Sequence, residues 1–130
     1  GRRFAPLAWR AATGEWSPYR VWLTSATGKL AGITCRPNAA GGARVVAVER
    51  HFGVTRLLGF DLPPPRGGEP VIVEPEVLVD LDDWIGTRDQ PMNFEGIALL
   101  EDGRVALVVD NHFRGVRTGS SELWFVRLNE

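Results

Sequence analysis

Apolar residues along this chain fall into short runs that end at glycine, proline or an Asp-Gly pair. No run keeps helical spacing over three turns, and short β-rich runs bounded by such punctuation predict strands. Tyr19 to Thr24 is one, with Ala26-Thr27-Gly28-Lys29 as its turn. Arg44 to Glu49 follows the loop Pro37-Asn38-Ala39-Ala40-Gly41-Gly42, and Val54 to Asp61 comes next. A further run, Val71 to Leu81, is set apart by Leu62-Pro63-Pro64-Pro65-Arg66-Gly67-Gly68, an exposed connection because proline cannot donate to a sheet ladder. Phe94 to Leu100 and Val105 to Asp110 flank Glu101-Asp102-Gly103, and Asp-Gly between two apolar runs is a strong hairpin signal. Glu122 to Leu128 closes the series. The chain therefore reads as all-β.

The pattern also repeats. Gly32-Ile33-Thr34, the strand Arg44 to Phe52 and the strand Leu57 to Leu62 form one unit. Gly96-Ile97-Ala98, the strand Val105 to Phe113 and the strand Leu123 to Leu128 form the other. Each runs Gly-Ile, turn, apolar strand, acid, one residue, His-Phe, closing strand. Units 32–62 and 96–128 are thus expected to superpose as antiparallel sheets, with Glu49 and Asp110 at equivalent ends. Repeated small antiparallel sheets predict β-propeller blades. A blade takes about 40–50 residues and a closed ring about four blades or more, so residues 1–130 are expected to hold one incomplete propeller of two to three blades. Uncovered faces and edges then favour self-association or completion by another segment.

Composition narrows the picture. With 44% hydrophobic and 24% charged residues the chain is globular, and its length suits a single core. A net charge of -1 argues against a nucleic-acid surface, and no apolar run is long enough to span a membrane as a helix. The single cysteine, Cys35, excludes an intrachain disulfide and a multi-cysteine zinc site.

The run Asn93-Phe94-Glu95-Gly96-Ile97-Ala98, followed by Asp102-Gly103 and by Asp110-Asn111-His112-Phe113, resembles the final blades of the phytase-like family, the domain called "esterase-like activity of phytase". The preceding Glu49-Arg50-His51-Phe52 is similar to that family's E-R-x-F strand. The resemblance spans roughly residues 30 to 130. It implies a propeller domain, hydrolysis of phosphoric or carboxylic esters with a small-molecule ester or phosphate as ligand, and an extracytoplasmic setting.

Candidate chemistry lies where these strands begin and end. Glu95 opens an innermost strand, so its carboxylate is expected at the channel mouth, where it can bind Ca²⁺ or position water for attack on an ester. Glu95 and Asp110 are the candidate catalytic acids, and Glu95, Asp110 and Asn111 the candidate Ca²⁺ ligands. Asn93, Asn111, Glu49 and Arg50 are candidate ligand contacts, since oxygen-rich groups at adjacent strand ends suit a hard cation and arginine suits a phosphate. The alternatives are structural: Glu95 accepting backbone N–H groups to lock neighbouring blades, Asp110 and Asn111 in an Asx turn, and Arg50 in an inter-blade ion pair. His51 and His112 recur at matching positions, which points to blade packing. Asp80-Leu81-Asp82-Asp83 breaks off from a calcium-loop pattern at Trp84 and reads as a solvated turn. The five tryptophans are expected mostly in the core or between blades. A second function class, a non-catalytic propeller module binding a ligand or partner, stands beside the hydrolase.

Overall fold

The computed structural model describes residues 2–51, 53–82, 94–109, 112–113, 116–117 and 121–128. Every element assigned among them is a strand. In chain order these are β1 (Phe4–Arg10), β2 (Trp16–Trp22), β3 (Lys29–Pro37), β4 (Ala43–His51), β5 (Val54–Leu62), β6 (Val71–Val73), β7 (Glu76–Asp80), β8 (Phe94–Leu99), β9 (Arg104–Val109), β10 (His112–Phe113), β11 (Val116–Arg117) and β12 (Glu122–Arg127). They form a first sheet β1-β2-β6, a central sheet β3-β4-β5-β7, a last sheet β8-β9-β12 and the small hairpin β10-β11. All neighbouring strands are antiparallel except β2 and β6, which run parallel. The all-β, blade-like reading holds.

Strand β4 explains the stacking. Its Val45 and Ala47 point one way and its Val46 and Val48 the other, as successive strand residues must. Val45 and Ala47 join Tyr19, Val21, Phe60, Leu62 and Val73 in a core between the first and central sheets. Val46 and Val48 join Leu57, Leu78, Phe94, Val105, Leu107, Val109 and Val126 in a core between the central and last sheets. A continuous apolar run is what a strand buried on both faces requires. Here it sets the central sheet between two others.

The two repeat units share one topology. In both, the Gly-Ile strand pairs with the apolar strand, which pairs with the closing strand: β3-β4-β5 and β8-β9-β12. In both, a bulge falls just before the glycine. Leu30 faces Glu49 and Gly32 faces Val48, so Ala31 is the extra residue; Phe94 faces Val109 and Gly96 faces Val108, so Glu95 is the extra residue. The first strands of the units also lie together, with Leu99 N–H donating to Thr34 Oγ1 at 3.1 Å.

Two local expectations need correction, and one strand was not foreseen. Val71 to Leu81 is not one strand: Glu74-Pro75 divides it, β6 joining the first sheet and β7 the central one. The Pro75 ring has no N–H to continue a ladder. The N-terminal stretch supplies a whole strand, β1, in full register with β2 from Phe4 opposite Trp22 to Arg10 opposite Trp16. Trp16 is 59% exposed rather than in the core.

Candidate functional site

The polar centre of the described structure is Glu49. It is fully buried, next to the apolar run Val45 to Val48 of β4. An ionised carboxylate in such a place is costly unless donors surround it. The loop after β2 supplies four. Thr24 donates its backbone N–H at 3.0 Å and its hydroxyl at 2.6 Å to Oε1, and Ser25 donates its N–H at 3.0 Å and its hydroxyl at 2.5 Å to Oε2. Each hydroxyl is held in turn: Arg56 Nη1 donates to Thr24 Oγ1 at 2.8 Å, and Gly28 N–H donates to Ser25 Oγ at 2.9 Å. Burial raises the Glu49 carboxyl pKa, but the hydrogen bonds from Ser25 and Thr24 outweigh it and hold the group below the usual range. A Cβ at Gly28 would run into Glu49 Oε2 and Ser25 Oγ, so only glycine lets the loop close this tightly.

This arrangement clamps the connection between the first and central sheets. Sequence reasoning placed Glu49 at a strand end as a ligand contact; its oxygens instead each accept two hydrogen bonds from the chain itself. The structural role weighed for Glu95 is thus seen at Glu49. The signal was present in the sequence: one glutamate near the end of an apolar run, with Thr24-Ser25 in the loop after β2.

Of the other candidates, Arg50 and Glu95 fall among the described residues. Arg50 follows Glu49 in β4 and so points to the opposite face; it is half-buried, opposite Lys29 and Thr55. Glu95 is exposed, at the bulge of β8. Asn93, Asp110 and Asn111 lie outside the described residues. By register the counterpart of Glu49 is Val109, since Val48 and Val108 both face the glycine after the bulge. The expected equivalence of Glu49 with Asp110 is therefore off by one residue. Among the described residues no group of three or more acidic, histidine or cysteine side chains is placed to hold a metal ion.

A second acidic group caps the central sheet. Asp82 Oδ1 accepts Thr55 N–H at 2.6 Å, and Asp80 Oδ1 accepts Asp82 N–H at 2.9 Å. Burial, with Asp80 nearby, raises the Asp82 carboxyl pKa despite the Thr55 bond. Arg56 Nε lies 3.5 Å from Asp80 Oδ2, which ties this cap to the Glu49 clamp through one arginine.

The outer faces of the end sheets carry the largest uncovered apolar surface among the described residues. On the last sheet, Gly96, Val108 and Leu123 stand in one row and Ala98, Ala106 and Phe125 in the next. Val108, Leu123 and Phe125 are 45%, 59% and 53% exposed. In the central sheet the positions equivalent to Val108 and Leu123 are Val48 and Leu57, which are 2% and 0% exposed under the last sheet. On the first sheet, Phe4 stacks on Trp22 at 3.7 Å, with Pro6, Arg20 and Ile72, then Ala8 and Pro18, then Arg10 and Trp16, in successive rows. Pro6, Ala8, Pro18, Arg20 and Pro70 border a shallow groove of about 250 Å³ there.

Compared with family models, with curated proteins and with solved structures, the chain matches none.

Proposed function

We propose that this protein is a binding module: a stack of blade-like sheets that works through the uncovered face of its last sheet. One observation carries this reading. The last sheet repeats the first three strands of the central sheet in order and in the bulge before the glycine, yet the face that the central sheet buries is left apolar and exposed at Val108, Leu123 and Phe125. Contiguous exposed apolar surface marks an interaction site. Leu123→Lys tests it with the apolar dye ANS at low micromolar protein. The wild type is expected to enhance the dye's fluorescence and the variant to lose most of that signal while melting at the same temperature. A wild type that leaves the dye dark contradicts the reading.

The exposed position of Glu95 at the β8 bulge supports a second reading, the Ca²⁺-assisted ester or phosphoester hydrolase implied by the family resemblance, with Glu95, Asp110 and Asn111 as ligands. Ca²⁺ binding only the folded state raises stability by about 2.7 kcal/mol at a hundredfold excess over Kd. This reading expects a rise of several degrees in Tm with Ca²⁺ that Glu95→Gln abolishes; no rise in the wild type rejects it.

A further inference from the structure

We infer that the occupant of the last sheet's exposed face is the first sheet of a second copy of this chain, so that copies associate head to tail. The inference rests on the binding-module reading and names its partner. Three observations carry it.

The first is continuity with the interfaces already present. The stack runs first sheet, central sheet, last sheet, and the central sheet shows what belongs on the far side of each unit. Its Val48 and Leu57 are covered by another sheet's apolar face, that of Val105, Leu107 and Val109. The equivalent Val108 and Leu123 call for another sheet's face over them. Within the chain, the corresponding faces of the central and last sheets are already buried. Among the described residues the outer face of the first sheet is left open, with Trp16 at 59% and Ile72 at 53% exposure.

The second is charge. Residues 2–23 and 69–74, around the first sheet, carry four arginines (Arg2, Arg3, Arg10 and Arg20) and three glutamates (Glu15, Glu69 and Glu74, the last paired with Arg2), an excess of one positive charge. Residues 94–109 and 121–128, around the last sheet, carry four carboxylates (Glu95, Glu101, Asp102 and Glu122) and two arginines, Arg104 and Arg127. Unlike ends attract and like ends repel, which favours first-on-last over last-on-last.

The third is that the two surfaces differ in kind. One is built from aromatic rings, prolines and arginines and the other from aliphatic side chains and one phenylalanine, so contact between them joins two different patches. A contact between two different patches is heterologous, and it either closes a ring or extends a filament.

Sedimentation velocity from low micromolar to several hundred micromolar protein tests this with Ile72→Lys on the first sheet and Leu123→Lys on the last. The wild type is expected to sediment faster as concentration rises, and each variant to associate at least tenfold more weakly. A mixture of the two variants is expected to regain pairs, because one copy still offers an intact first sheet and the other an intact last sheet. Lysine at both positions excludes rescue by a new ion pair at the altered faces. Melting curves confirm that each variant folds, and Trp16→Lys replaces Ile72→Lys if that one does not. A wild type that stays monomeric throughout overturns the inference, as does Ile72→Lys associating like the wild type or a mixture that fails to pair. A monomer that still lights ANS at Leu123 removes only the second copy as partner, whereas a monomer that leaves the dye dark removes the binding module as well.

Discussion

At the scale of single residues, the clamp on Glu49 decides how the chain passes from its first sheet to its central one. Two backbone N–H groups and two hydroxyls converge on one carboxylate, and removing it strands buried donors rather than merely deleting a contact. Each stranded donor costs about 1–3 kcal/mol, so Glu49→Ala is expected to lower stability by about 3 kcal/mol or more. Glu49→Gln keeps the shape but turns one acceptor into a donor facing donors, and is expected to cost nearly as much. The pH dependence follows from the lowered folded-state pKa. The unfolded carboxyl binds its proton at higher pH than the folded one, so the stabilisation is fully present above the ordinary glutamate pKa. It is lost as pH falls through the folded value. Chemical denaturation of wild type and Glu49→Gln at pH 7 and at pH 3 checks this: their difference is expected to shrink in acid. A constant difference would mean that charge is not what the four donors read.

At the scale of elements, most of the strands were legible because the chain punctuates itself with glycine, proline and Asp-Gly. The turn at Glu101-Asp102-Gly103 joins β8 and β9 as its sequence predicts. What sequence pattern missed was set by pairing. β1 is apolar up to Arg10 but is interrupted by Pro6, and it becomes a strand because β2 offers a full-length partner. Val71 to Leu81 reads as one apolar run, but its halves serve two sheets, a division that only the third dimension shows. The one-residue slip between Glu49 and Asp110 has the same origin. His-Phe matching aligned the strands by composition, whereas the bulges at Ala31 and Glu95 fix the register at Val48 and Val108. A slip of one residue moves a side chain to the opposite face, so the register match of Glu49 is the apolar Val109. Of the candidate site, Glu49 was legible as an acid near the end of an apolar run, but its burial beneath the Thr24-Ser25 loop was not.

At the scale of the whole molecule, the account rests on the last sheet being a copy of the central sheet with one face left open. β12 carries the evidence in its own sequence: Leu123-Trp124-Phe125-Val126 is apolar on both faces, the pattern of a strand meant to be covered on both sides. Trp124 and Val126 are packed against the core, while Leu123 and Phe125 are not. The most direct test compares Leu57→Lys with Leu123→Lys, two substitutions of the same kind at equivalent positions of the two units. Thermal and urea unfolding are measured in dilute solution, where copies do not meet. Leu57→Lys buries a charge in the core and is expected to cost more than about 4 kcal/mol or to prevent folding, whereas Leu123→Lys is expected to stay within about 0.5 kcal/mol of the wild type. Equal destabilisation by the two would show that Leu123 is buried within the folded monomer, and would contradict the open face on which the account depends.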